Sequence, residues 1–225
     1  MDKFAIIVAG GSGTRMNSAI PKQFLPLAGI PVLMHSLRAF HEYDESVKII
    51  VALPSELIPD WKMLCSQHNF DIPHTLSPGG KMRFDSVKNA LSFLTADGLV
   101  AVHDGVRPLI SKGLISRAYD HASAHGNAIP CTLVTDSVRT SFGLTNSPLD
   151  RSNLRLIQTP QVFRVSLLRQ AYQQDFLDRF TDDAAVLEAA NQTIKLIEGE
   201  PYNIKITYPE DLVIAEALMK YRQTV

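Results

Sequence analysis

The sequence has little of what several protein classes require. Two cysteines, Cys65 and Cys131, stand among 225 residues, in unrelated segments and without a CxxC pair. A disulfide framework and a zinc ribbon are thereby excluded, and the thiols read as reduced and buried, as expected of a cytoplasmic protein. Charge of one sign is also missing: 22 Lys and Arg stand against 23 Asp and Glu, for a net charge of −1. That leaves no basic stripe for nucleic acid, so any positive potential must be local to a site. No apolar run approaches a membrane span, and residues 1–10 lead into a core strand instead of a secretory leader. His121 and His125 have helical i, i+4 spacing without a third ligand, which reads as a solvated helix face and no metal site. Internal repeats, low-complexity tracts and linkers are absent too. At 45% hydrophobic residues, the chain is expected to form one domain over 1–225.

What is present concentrates near the start. The strand pattern Phe4 to Ala9 empties into a loop with Gly10, Gly11 and Gly13, followed by Arg15 and, behind Pro21, Lys22. Glycines let backbone N–H groups approach an anion closely, and two cations beside such a nest point to a ligand with several negative charges. A nucleoside triphosphate is the simplest such ligand. A dinucleotide fingerprint starting at Gly11 would need glycine where Met16 stands, and no lysine follows a glycine at P-loop spacing. The run G-G-S-G-T-R-M with P-K-Q instead resembles the signature of nucleotidyltransferases that move NMP from an NTP onto a phosphate.

Strand and helix patterns alternate along the chain, which predicts parallel strands with crossover helices. Strands are expected at 4–9, 47–53, 72–76, 99–103 and 127–134. Helices are expected at 31–43, 55–69, 82–95, 112–125, 165–177, 182–191 and 209–222. Residues 135–158 break the rhythm, with polar alternation around a turn at Gly143 to Pro148. They read as a projecting β-hairpin, which cannot bury much of itself alone and so either stays mobile or packs on a partner chain as a dimerisation arm.

Further segments carry chemistry-bearing residues. Pro78-Gly79-Gly80-Lys81-Met82-Arg83 precedes a helix start with Ser86 about one turn in, where backbone groups can read a base edge. A plain loop–helix junction would look the same. His103-Asp104-Gly105-Val106-Arg107-Pro108 follows an apolar strand, and ligands of open α/β sheets bind outside strand carboxyl ends. Asp136-Ser137 with Arg139, and Asp150-Arg151, fall on the hairpin, where charges alone suggest a solvated face. Gln158-Thr159-Pro160-Gln161 precedes Thr181-Asp182-Asp183, in which Thr181 reads as a helix N-cap. Lys205 lies in Asn203 to Thr207, read as mid-strand between apolar neighbours.

In order and spacing these segments resemble the 2-C-methyl-D-erythritol 4-phosphate cytidylyltransferases. The likeness runs from AGGSGTRM and PKQFL through GGKMRFDSV, HDGVRP, DSVR, LDR, QTPQVF and TDDAAVLE to NIKITYPEDL, nearly the whole chain. The resemblance implies a single-domain, Rossmann-like (glycosyltransferase-A-like) α/β fold with a mostly parallel sheet, a homodimer, CTP and Mg²⁺. It also implies that Arg15 and Lys22 are the transition-state cations and that Arg151 and Lys205 position the acceptor phosphate. Asp104 and Arg107 match the acid and arginine of the HDGVRP segment, and Ser137, Thr159 and Thr181 fall on hydroxyl-bearing positions near the acceptor. Ala9, Gly10, Gly11, Gly13, Gly80 and Ser86 fall around the nucleotide, and magnesium is expected mainly on the CTP phosphates instead of on protein ligands. Where some members carry an acid after the glycine pair, this chain has Lys81 and Met82. Ser137 replaces a frequent threonine.

The same loops fit a ribitol-5-phosphate cytidylyltransferase, since both acceptors are short polyol phosphates. A more distant alternative, an NAD-dependent oxidoreductase, conflicts with Met16 and with the absence of an acid at the end of the second strand, Val51 to Pro54. A non-catalytic nucleotide sensor would not need cations suited to a transition state. No nucleic-acid or membrane partner is expected.

Overall fold

The computed structural model describes residues 1–11, 16, 18 and 20–222. In chain order its elements are β1 (Asp2–Val8), β2 (Pro26–Leu27), β3 (Ile30–Pro31), α1 (Val32–Tyr43), β4 (Lys48–Leu53), α2 (Ile58–Gln67), β5 (Thr75–Pro78), α3 (Arg83–Leu91), β6 (Gly98–Asp104), α4 (Lys112–His125), β7 (Asn127–Leu133), β8 (Val138–Phe142), β9 (Thr145–Leu149), β10 (Arg155–Ile157), β11 (Gln161–Arg164), α5 (Val165–Ala171), α6 (Asp183–Ala189), β12 (Leu196–Glu198) and α7 (Pro209–Arg222).

The central sheet runs β10-β7-β11-β6-β1-β4-β5, with β12 beside β7. Strand β1 pairs in parallel with β4 and with β6, and β5 continues in parallel from β4. The α/β fold with a mostly parallel sheet is as expected. The exceptions are β11, antiparallel to both β6 and β7, and β10, antiparallel to β7. Residues 155–157 therefore belong to the main sheet, and the projecting ribbon is confined to β8 and β9, which among the described residues pair only with each other.

Alternation along β1 explains the layers. Ala5 and Ile7 face a core shared with Leu33, Leu37 and Phe40 of α1 and with α4, whereas Phe4 and Ile6 face a second core with α3 and α5. Each fully buried Leu, Ile or Phe contributes roughly 1.5–3 kcal/mol of transfer free energy, so both faces of the sheet are strongly held. A third, smaller core joins Leu212, Ala215 and Met219 of α7 to Leu27 and Ile206. Asp211 accepts from the backbone N–H of Thr207 and Tyr208, fixing the start of α7 beside the segment that carries Lys205.

Some local expectations change. Residues 203–207 form no strand: the Ile206 N–H reaches the Val106 carbonyl, 2.8 Å away, and the Asn203 N–H closes a turn onto the Glu200 carbonyl at 3.0 Å, which makes no ladder. The cap of α6 is Asp182, whose carboxylate accepts from Ala185 N–H at 2.9 Å, and not the neighbouring Thr181. Cys65 and Cys131 are free thiols, half-buried instead of fully buried. The rings of His121 and His125 lie 4.3 Å apart on α4, and His121 Nδ1 sits 3.2 Å from the Asn127 carbonyl.

Candidate active site

Strand order reverses direction of growth between β1 and β6, and this is where open α/β sheets bind ligands. Val8 and Asp104 are register partners at the carboxyl ends of those two strands. Two cavities adjoin there. One, of about 370 Å³, is lined by Ala9, Gly10, Gly11, Lys22, Gly80, Ser86, Asp104 and Lys205 among others. The other, of about 260 Å³, is lined by Arg107, Thr159, Thr181, Asp104 and Lys205, with Gln158, Gln161 and Asp182. Arg83, Asp104 and Lys205 border both.

The first cavity is shaped by the start of α3. A Cβ at Gly80 would come within 2.2 Å of Asp85 Cβ, so only glycine lets the loop pass so close to the helix. Ser86 Oγ accepts from Gly80 N–H at 3.0 Å and donates to the Met82 carbonyl at 3.1 Å. Ala9 donates to the Ala52 carbonyl at 2.9 Å, and its own carbonyl accepts from Gln23 Nε2 at 2.8 Å. The N–H groups of Ala9 and Gly80 are thus committed to the fold, and what these residues can offer a ligand is carbonyl oxygen. Lys22 Nζ lies 3.5 Å from the Ile206 carbonyl, beside the glycine loop.

Asp104 is the electrostatic centre. Its Oδ2 lies 3.0 Å from Lys205 Nζ and 3.3 Å from Arg107 Nε, and its Oδ1 lies 3.6 Å from Arg83 Nε. Burial pushes this carboxyl's pKa upward, yet Arg83, Lys205 and Arg107 together hold it well below the usual carboxylate range. Arg107 also donates to the Asn203 carbonyl at 2.8 Å, and Asn203 Nδ2 donates to the Thr159 carbonyl at 2.8 Å. These bonds tie the turn after β6 to the segment carrying Lys205.

His103 lies behind Asp104 and is fully buried. Thr159 Oγ1 accepts from Asp104 N–H at 3.0 Å and sits 3.1 Å from His103 Nδ1, so the hydroxyl proton points at that nitrogen. The ring's Nε2–H then donates to the Arg107 carbonyl at 3.2 Å. Burial holds the imidazole neutral, its pKa lowered to about 4. The Thr159 hydroxyl, expected near the acceptor, is largely engaged in this internal network.

Not every expected residue gathers here. Arg15 and Gly13 lie outside the described residues. Ser137 and Arg151 are exposed, on or beside the β8–β9 arm, and line neither cavity. Within one chain Arg151 donates to the Thr135 carbonyl instead. Conversely, the structure brings in Arg83, to which the sequence motifs assign no role although it opens α3 three residues after Gly80 at the ligand-binding edge of the sheet.

The donor set does not suit a metal ion held by protein. Among the described residues no three His, Cys, Asp or Glu side chains converge. Asp104, the one carboxylate among the residues lining the larger cavity, already faces three cations.

Comparison with known proteins accords with this geometry. The family profile described as 2-C-methyl-D-erythritol 4-phosphate cytidylyltransferase (IspD) matches residues 4–221. A protein of that name from Bacteroides thetaiotaomicron is 49% identical over 219 residues, covering 97% of this chain and all of its own length. The crystal structure of the enzyme of that name from Thermus thermophilus superposes with a TM-score of 0.78 at 31% identity, over 96% of this chain and 98% of the other. A 4-diphosphocytidyl-2C-methyl-D-erythritol synthase from Anaerococcus prevotii gives 0.82 at 28% identity, over 97% and 96%. The chain belongs to the 2-C-methyl-D-erythritol 4-phosphate cytidylyltransferase family.

Proposed function

We infer that the protein is a nucleotidyltransferase of isoprenoid precursor biosynthesis. It transfers CMP from CTP to 2-C-methyl-D-erythritol 4-phosphate and releases pyrophosphate, forming 4-diphosphocytidyl-2-C-methyl-D-erythritol. The observation that carries this reading is the pair of adjoining cavities sharing a cation-rich border, one beside the glycine loop and one beside Arg107. A ribitol phosphate acceptor finds no support among the relatives compared here, which carry the methylerythritol name.

A phosphate oxygen of the acceptor attacks the α-phosphorus of CTP, the Pα–O–Pβ bond breaks, and pyrophosphate leaves with the electron pair. The attacking group is already an anion, so no general base or covalent enzyme intermediate is required. In-line positioning and neutralisation of developing charge are required. Loop amides, Arg15 and Lys22 serve the triphosphate, and Lys205 and Arg107 serve the acceptor. Magnesium belongs to the nucleotide on this reading, entering as MgCTP on phosphate oxygens.

Carbonyl oxygens at Ala9 and Gly80 accept from the exocyclic amine of cytosine, whereas uracil would set carbonyl against carbonyl. An unpaired buried polar group is costly, which is the basis of such discrimination. The arm is the dimerisation element, and it bears Phe142 and Leu144, both strongly exposed in the single chain. Arg151 then serves the acceptor cavity of the opposite subunit. No helix among the described residues is long and apolar enough to cross a membrane, and we place the enzyme in the cytoplasm. Pyrophosphate release measured across four NTPs and several polyol phosphates tests the assignment. CTP with methylerythritol phosphate should dominate in kcat/KM, and comparable turnover of ATP or of ribitol 5-phosphate would refute it.

A further inference from the structure

Arg83 is the cation at the border of the two cavities to which the reading above gives no task. It differs from its neighbours in having a private counter-ion. Its Nη2 donates to Asp183 Oδ2 at 2.7 Å, and Asp183 is fully buried. Tyr172 donates its phenolic proton to the other oxygen, Oδ1, at 2.6 Å. Arg107 and Lys205 both pair with the same oxygen of Asp104, while Arg83 touches the opposite oxygen at 3.6 Å through Nε. One edge of the guanidinium is therefore fixed from behind by Asp183 at the start of α6, itself held by Tyr172 at the C-terminal end of α5. Its Nη1 has no hydrogen-bond partner among the described residues, and 28% of the side chain remains exposed, at the rim common to both cavities.

A buried carboxylate holding a planar fork by one edge leaves the other edge preoriented, the arrangement that suits a phosphate. We propose that Arg83 is a catalytic residue, the cation that contacts both reacting phosphates as they meet, with Asp183 and Tyr172 as its positioning residues. It exchanges no proton. It donates hydrogen bonds to the non-bridging oxygens of the α-phosphate and the acceptor phosphate while the new P–O bond forms and the Pα–O–Pβ bond breaks. The negative charge of five-coordinate phosphorus is concentrated where this edge points, so the interaction strengthens in the transition state.

The inference rests on the cytidylyl-transfer reading, and its test separates the two. Wild type, Arg83→Gln, Arg83→Lys and Tyr172→Phe are assayed with CTP, methylerythritol phosphate and Mg²⁺, with melting temperature and calorimetric CTP affinity measured alongside. Arg83→Gln should lose about 100-fold in kcat, and Arg83→Lys, which keeps charge but not the fork, about 10-fold. Tyr172→Phe should lose about threefold in kcat by loosening the anchor. In all three, both KM values and the CTP affinity should stay within about threefold of wild type, which a merely structural role would not leave untouched. Arg83→Lys decides the matter should Arg83→Gln fail to fold. A folded Arg83→Lys variant with wild-type kcat, or a loss confined to the KM of one substrate, overturns the proposal. Absence of turnover in wild type would instead overturn the functional reading.

Discussion

The cleft at the ends of β1 and β6 and the β8–β9 arm each carry cations that sequence motifs assign to one reaction, but they are built on opposite principles. In the cleft, Arg83, Arg107 and Lys205 converge on the buried Asp104, and the backbone beneath them is bonded to His103, Thr159 and Asn203. On the arm, every residue of β9 is exposed, and among the described residues Arg151 is engaged only with a neighbouring loop carbonyl. The first region is organised by its own chain, and the second is organised only if something else meets it. A motif therefore names the chemistry of a residue without naming what holds it in place.

The largest test of that contrast removes the two cations of the glycine-loop motif. Lys22→Ala and Arg15→Ala should each lower kcat by about two orders of magnitude with the fold intact, roughly 2–4 kcal/mol of transition-state stabilisation. A normal kcat with only a raised KM for CTP would reduce either residue to plain binding.

His103 probes how firmly the cleft floor is fixed. Its pKa is depressed by burial from 6.5 to about 4. The unfolded state therefore binds the proton first as pH falls. Stability is fully present above pH 6.5 and is lost progressively down to about pH 4, to a limit of ~3 kcal/mol. Urea titrations of wild type should show this slope, and a folded His103→Gln variant should flatten it. An unchanged slope in that variant would assign the pH dependence elsewhere.

The arm is tested by mixing inactive Arg151→Ala with inactive Lys22→Ala protein. If sites are shared, each mixed dimer holds one site with both defects and one with neither. After complete one-to-one subunit exchange, about a quarter of wild-type activity should return. No recovery despite demonstrated exchange would place Arg151 in the site of its own subunit.

The smallest effect concerns stability. Replacing 138–150 by a short turn should yield monomers by light scattering, yet change the unfolding free energy of the remaining chain by less than about 1 kcal/mol, because β8 and β9 pair with no other strand among the described residues. A large loss, or an intact dimer, would contradict the picture of an independent arm.

How much of this was legible in the sequence follows from burial. Strands β1, β4 and β6 are near-continuous apolar runs, covered on both faces, and read directly. Strands β10 and β12 have three residues each, mostly exposed, and carry no such pattern. Lys205 sits in an alternating Ile-Lys-Ile stretch that mimics a strand but has no ladder beside it. Thr181 and Asp182 are equally good cap residues by type, and the backbone dihedrals settled on the second. The acid and cations of the cleft were visible because they sit beside glycine turns at strand ends. Arg83 was not, because its decisive partner, Asp183, lies 100 residues away in sequence. Arg151 was visible as a charge, but within one chain it lines neither cavity, and its place beside an acceptor rests on the proposed meeting of two arms.

On the proposed function, Asp104 gives the resting enzyme an anion of its own in the space that the substrate phosphates enter. A phosphate arriving at Lys205 or Arg107 competes with a carboxylate already 3.0 to 3.3 Å away. The site would thus work by ion exchange: each phosphate captured displaces Asp104 from its cations, and Asp104 takes them back when the phosphate leaves. Such an internal competitor caps ground-state affinity and hastens departure of the product. It also screens the pocket against stray inorganic phosphate, whose two charges gain less from the exchange than a correctly seated pair of substrates.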